Sequence, residues 1–331
     1  MRVLHDKDYR LFEKLVSLTE KGMSHAMIQY LKGKYNDMIV TKDYIVAKGT
    51  IPIALVAHMD TVFKSPVQDL YYDQRKGVLW SPQGLGADDR AGIFAIIKIL
   101  QEGFRPSIIL TTGEEEGGLG ACALCDAYPE CPISGLKYLI QLDRHGSNDC
   151  VFYDCYCPEF VEYVESFGFC ERYGSFTDIS FLMPEWNIVG VNLSVGYEDE
   201  HSKQEILYIN YLFDTIKKVK KMLSETEIPD FKYDEIVAPG GTMWWRRAGS
   251  WAGNHCHKCK KPHSEYELFP VLGLDGNTKF YCPDCIVGNV EWCELCGEPF
   301  EVKDHSGKKL CKECEEELCM TSNKSNNNSE A

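Results

Sequence analysis

Five short segments of this chain carry the residue types that hold divalent metal ions through nitrogen and oxygen. They are His58-Met59-Asp60, Asp88-Asp89, Glu114-Glu115-Glu116, Asp143 and Glu198-Asp199-Glu200-His201. Two imidazoles with several carboxylates suit a pair of cations, because closely spaced ions repel and need anionic ligands, one of them shared. A carboxylate left over from such a set can act as base toward a metal-acidified water. Any single position reads equally well as a core histidine or a solvated acidic loop. That reading fails for the whole set, since the segments follow buried strands or open a helix.

A second metal chemistry is carried by thiolates. Cys256-x-x-Cys259, Cys282-x-x-Cys285, Cys293-x-x-Cys296 and Cys311-x-x-Cys314 each place two sulfurs on one side of an ion, and two such turns complete a tetrahedron. The 22 residues between the first two pairs (260–281) and the 14 between the last two (297–310) each leave room for a hairpin. Two consecutive zinc ribbons, each with one structural zinc, are the simplest assignment. Interleaved pairing remains open, and His255, His257, His263 and His305 are alternative ligands.

The elements that must position the first set alternate in type. LFEKLVSLTEKG (11–22) and SHAMIQYLKGKY (24–35) have apolar residues at three- and four-residue spacing, which predicts helices. Ile51–Ala57 is a continuous apolar run, as expected of a strand buried on both faces. Further strands are expected at 107–112, 136–142 and 188–193, an apolar helix at 89–101 and an amphipathic one at 210–224. This alternation predicts an α/β fold, a three-layer α/β/α sandwich with its site at the carboxyl ends of strands, plus a small zinc-ribbon domain. The expected division is 1–226 for the large unit, 227–254 for a linker, 255–316 for the ribbon module and 317–331 for a disordered polar tail.

Composition excludes several classes. The chain has 331 residues, 44% of them hydrophobic and 26% charged, a globular balance. Its net charge of −15 argues against a broad phosphate-gripping surface. Sixteen cysteines could signal disulfides, but the N-terminus has no apolar leader, so thiols or zinc ligands in a cytoplasmic protein are expected. No uncharged apolar run reaches membrane-spanning length. Residues 236–264 are basic and tryptophan-rich, yet 230–331 carry 12 basic and 17 acidic residues. A protein partner for the ribbon module is therefore favoured over nucleic acid.

The motifs AHMDTV (57–62), GADDRAG (86–92), TTGEEEGGLGA (111–121), QLD (141–143) and EDEHSKQE (198–205) together resemble the co-catalytic dizinc exopeptidases, the group of peptidase T, glutamyl aminopeptidase and their carboxypeptidase and deacylase relatives. The resemblance implies two catalytic zinc ions, or another divalent metal. His58 and Asp143 would bind one ion, Glu115 and His201 the other, and Asp88 would bridge them, with Asp60 orienting His58. Glu114 would be the general base, taking a proton from the metal-acidified water and passing one to the leaving amine. Glu116 falls where the resemblance expects an apolar residue.

Asp178 matches a Gly-Thr-Asp element that supports the site, and Tyr197 is either structural or a hydrogen-bond donor. An aspartate at 143 is the choice associated with aminopeptidases. The gaps 59–87 and 144–200 hold no inserted lid domain. The resemblance thus implies a zinc-dependent metallopeptidase of aminopeptidase type acting on a peptide. An N-acyl-amino-acid deacylase, or a non-catalytic binding protein on a degenerate core, are the alternatives.

Overall fold

The computed structural model describes residues 4–153, 155, 157–174, 176–234, 256–260, 269–273, 278–286, 289–293 and 299–302. The chain divides into two compact units, Met1–Ile236 and Val237–Ala331. In the first, α1 (Asp6–Val16) and α2 (Glu20–Lys32) lead into β1 (Met38–Val40), β2 (Tyr44–Ala47) and β3 (Ile51–His58). A hairpin of β4 (Tyr71–Asp73) and β5 (Val78–Trp80) precedes α3 (Ala87–Gln101), β6 (Pro106–Thr111), α4 (Leu119–Ala127) and β7 (Tyr138–Arg144). Next come β8 (Asp149–Val151), α5 (Pro158–Glu165), β9 (Cys170–Glu171), α6 (Asp178–Trp186) and β10 (Val189–Ser194). The last elements are β11 (Tyr197–Glu198), β12 (Ile206–Tyr208) and α7 (Ile209–Leu223).

Eight strands form one sheet in the order β1-β2-β6-β3-β7-β10-β8-β9, and its centre, β6-β3-β7-β10, is parallel. Those central strands are the apolar runs of the sequence, and their interiors are fully buried because helices cover both faces. On one face α3 lies against β3 and β7, with α1 and α7 beside it; on the other α6 lies against β3, β7 and β10, with α4 beside it. Apart from Lys98 and Gln101 every residue of α3 is buried, as befits a helix apolar on all sides. This is the expected α/β arrangement of a central sheet between helices. A smaller antiparallel sheet, β11-β12-β5-β4, carries the segment after β10.

The first two helices do not begin where periodicity alone puts them. Instead of 11–22 and 24–35 they run from Asp6 and from Glu20. The break falls at Ser17–Thr19, where the Thr19 side chain accepts a hydrogen bond from the Gly22 N–H and so starts a new helix. Ile228, Phe231 and Tyr233, within the expected linker, pack on the first unit's core, the Phe231 ring tilted against Phe160 with centroids 4.9 Å apart. Four cysteines of the first unit, Cys122, Cys125, Cys155 and Cys157, read in the sequence as buried small residues without a metal role; Cys155 and Cys157 are buried, whereas Cys122 and Cys125 are only half-buried. Among the described residues no helix is long and apolar enough to cross a membrane.

In the second unit β13 (Phe269–Leu272), β14 (Thr278–Tyr281), β15 (Val290–Trp292) and β16 (Pro299–Glu301) form a sheet in the order β14-β13-β16-β15. It consists of two antiparallel hairpins side by side. A single turn, α8 (Pro283–Ile286), follows β14. The expected tail and residues 235–254 lie outside the described residues.

Candidate metal centre

The central strands are parallel, so their carboxyl ends share one edge; three of the five segments emerge there, and the Asp88 and His201 segments are brought to it from the smaller sheet. His58 is the last residue of β3, beside Thr111 at the end of β6. Glu114 and Glu115 follow β6, Asp143 lies near the end of β7, and His201 is in the turn between β11 and β12, after β10. Asp88 is delivered by a turn into α3 in which Gly86 has φ +63°, a conformation that favours glycine. The Asp88–Asp89 peptide is cis.

At the centre stands the Asp88 carboxylate. One oxygen lies 2.9 Å from His58 Nε2 and the other 3.2 Å from His201 Nε2. His58 Nε2 is also 3.5 Å from Asp143 Oδ1, and His201 Nε2 is 3.0 Å from Glu115 Oε2. The geometry therefore yields two clusters, His58–Asp88–Asp143 and His201–Asp88–Glu115, sharing one carboxylate. His58 is fully buried while the His201 side chain is 54% exposed. Asp89 also lies close to His58 and Asp143. Its two oxygens, however, accept from the backbone N–H groups of His58 and Gly92, which commits them to holding the turn.

Around these residues is a set of braces. Asp60 accepts from the Glu114 and Glu115 N–H groups, and its Oδ1 approaches His58 Nδ1 at 3.3 Å, off the line of a good hydrogen bond. Asp143 accepts from the Tyr197 hydroxyl at 3.1 Å and from Thr177 Oγ1 at 2.8 Å. Asp178 accepts from Thr111 Oγ1 at 2.6 Å and from Gln141 Nε2 at 3.3 Å, linking the ends of β6 and β7. Glu205 accepts from the Gly86 and Asp88 N–H groups at 2.5 and 3.0 Å.

The charges of the centre are strongly perturbed. Hydrogen bonds to Asp88 and Glu115 push His201 up to about 11. Burial works to raise the Asp88 carboxyl, but His201 and His58 hold it well below its ordinary range. Burial, with the charge of Asp88, raises Asp143 to about 7, and burial alone leads the rise of Asp178 to about 6. Glu114 is buried, and no side chain among the described residues bonds its carboxylate. Burial pushes that carboxyl well above its usual range, opposed by His58 and reinforced by Asp143, Asp178 and Asp88.

This donor set fits divalent cations: hard carboxylate oxygens and two imidazoles around one shared anion, with Glu115 Oε1 buried and without a hydrogen-bond partner. Of the sequence candidates, His58, Asp60, Asp88, Glu114, Glu115, Asp143, Asp178, Tyr197 and His201 all lie at this one edge. Thr177, Gln141, Asn192 and Glu205 were given no role in the sequence reading, although Gln141 and Glu205 fall within the motifs QLD and EDEHSKQE. Gln141 and Asn192 interrupt otherwise apolar strands, a signal that was available.

Two solved structures share this architecture. A tripeptidase from Staphylococcus aureus superposes with a TM-score of 0.54 at 15% identity, over 66% of this chain and 97% of its own. An aminopeptidase from the archaeon Desulfurococcus kamchatkensis does so with a TM-score of 0.50 at 14% identity, over 67% and 96%. The fold is theirs. No protein-family model and no curated protein matches the chain. In open α/β sheets, ligands bind outside the carboxyl ends of the strands, which is where the two clusters stand.

The second unit holds a different set. The ligand atoms of Cys256, Cys259, Cys282 and Cys285 lie within 4.8 Å of one another. The Cys256 turn is tied to β14 by the His257 N–H, which donates to the Phe280 carbonyl at 2.6 Å. Burial works against a Cys256 thiolate, yet the backbone N–H groups of Cys259, Cys282 and Lys258 lower it to about 6. Of the other expected set Cys293 is buried, and Cys296, Cys311 and Cys314 lie outside the described residues.

Proposed function

We propose that this chain is a metal-dependent hydrolase of aminopeptidase type, cleaving a peptide bond next to a free amino terminus. The observation that carries the proposal is the Asp88 carboxylate set between His58 and His201, with Asp143 and Glu115 at the outer ends. His58, Asp88 and Asp143 would hold one cation, and Asp88, Glu115 and His201 the other. When bound, such a pair supplies the Lewis acidity that makes water nucleophilic at neutral pH and polarises a carbonyl.

The chain's own residues supply the rest. Glu114 takes a proton from the attacking water at its carboxylate as the carbon–oxygen bond forms. It returns a proton to the leaving nitrogen as the carbon–nitrogen bond breaks. Asp60 keeps Glu114 in reach of the cluster by binding its N–H, and burial of Glu114 favours its protonated form midway through the cycle. Thr177 and Tyr197 fix the Asp143 carboxylate from two sides. Both fold neighbours are peptidases, which supports the same reading.

The test is metal content together with hydrolysis of aminoacyl, dipeptide and N-acyl substrates, with Glu114→Gln as control. We expect aminoacyl or dipeptide cleavage that falls by about two to four orders of magnitude in the variant, with its metal retained. Activity that survives the substitution would remove Glu114 from its role. Cleavage confined to N-acyl substrates would make the protein a deacylase.

A further inference from the structure

The amide of Asn192 has only one orientation that satisfies its neighbours. Its Oδ1 accepts from the Asp143 N–H at 3.0 Å, and its Nδ2 donates to the Asp143 carbonyl at 2.7 Å. The second Nδ2 hydrogen faces the Tyr153 hydroxyl oxygen at 2.9 Å. The phenol is therefore an acceptor in this contact, and its own hydrogen must point elsewhere. Among the described residues nothing accepts it. Tyr197 is the opposite case, because its hydroxyl already donates to Asp143 Oδ1.

Two further facts bear on Tyr153. Its φ is +54°, a left-handed conformation that an aromatic residue adopts only when its surroundings impose it, and such residues cluster at functional sites. Burial raises its phenol well above the ordinary range, and the carboxylates of Asp143 and Glu114 add to the rise, so the hydroxyl stays protonated within the field of the centre. A neutral donor there can meet charge that develops on a substrate oxygen.

We propose that Tyr153 is a substrate-contacting donor of the centre, its phenol hydrogen bonding the carbonyl oxygen of the scissile bond as negative charge builds on it. This role rests on the hydrolase reading above. Tyr197 then positions Asp143, and Asn192 couples Tyr153 to the same strand end.

Two substitutions test the role in the full-length, metal-loaded protein. Tyr153→Phe removes the hydroxyl, and Tyr153→O-methyltyrosine keeps the oxygen that accepts from Asn192 but lacks the hydrogen. Readouts are kcat and KM on the cleaved substrate, metal content, and Kd for a phosphinic dipeptide analogue and for the free amino acid product. We expect kcat to fall on the order of 10²-fold with KM little changed. Affinity for the tetrahedral analogue should fall about tenfold or more, while product affinity and metal content hold.

Variants that match wild type in kcat and analogue affinity would overturn the proposal. So would parallel loss of metal, which would make Tyr153 a positioning residue. Should the phenylalanine variant fail to fold, the O-methyltyrosine variant decides. A wild type that neither cleaves any substrate nor binds the analogue overturns the hydrolase reading and this role with it. An active wild type with unaffected variants overturns this role alone.

Discussion

Each oxygen of Glu205 holds one backbone N–H, of Gly86 and of Asp88, at the turn that delivers the shared carboxylate. Glu205→Gln keeps the shape but turns an NH₂ toward one of those N–H groups, leaving a buried donor unpaired. We expect a loss of about 1–3 kcal/mol in denaturant unfolding and metal affinity about ten- to a hundredfold weaker by titration. Wild-type values for both would mean the turn holds itself. At this scale the sequence was readable where chemistry dictates residue type. His58, Asp88 and His201 were legible as members of a set, because imidazoles and carboxylates that recur after apolar runs and at a helix start have little other use together. Glu205 did not stand out, since one more acid in EDEHSKQE carries no periodicity, and only its contact with residues more than a hundred positions away gives it meaning. Tyr153 was equally silent, because its φ, and a hydroxyl hydrogen with no acceptor among the described residues, belong to three dimensions.

The parallel strands were legible as elements because burial on both faces leaves an unbroken apolar run. The helix starts were less so, since Thr19 capping overrode the apolar period through 11–22. In the small sheet that carries His201, the stretch before Gly84 reads as a hairpin and is β4–β5, whereas β11 and β12 were not legible, being two and three residues long. One glycine shows how tightly the elements meet. A Cβ on Gly92 of α3 would lie 2.2 Å from the Leu142 carbonyl oxygen of β7 and 2.5 Å from Asp89 Oδ1. Backbone thus packs on backbone where α3 brings Asp88 to Asp143. Gly92→Ala should destabilise the first unit by about 1–3 kcal/mol or more, read as a lower denaturation midpoint. An unchanged midpoint would show that α3 can slide without loss.

The two units differ in what holds them. The first has a continuous core running from Leu4 to Tyr233, whereas the second buries Val271, Tyr281 and Val290 among its described residues. So small a core among the described residues would need a metal at the four-cysteine cluster, while the larger one would gain from cations without depending on them. Calorimetry of the loaded protein should show two transitions. A strong chelator should abolish the one belonging to the small unit and lower the other without removing it. Two transitions indifferent to chelation would refute both assignments.

Strand order also fixes a calendar of synthesis. The ribosome makes β3, β6 and β7 before β10, and His201 comes only after β10. A nascent chain that ends before β10 already contains His58, Asp88, Glu115 and Asp143, but no partner for the far oxygen of Asp88. The buried half of the centre is therefore complete in composition while its exposed half still lacks the His201 imidazole, so the carboxylates gathered around Asp88 are made first and wait for their second ring until the chain has passed β10.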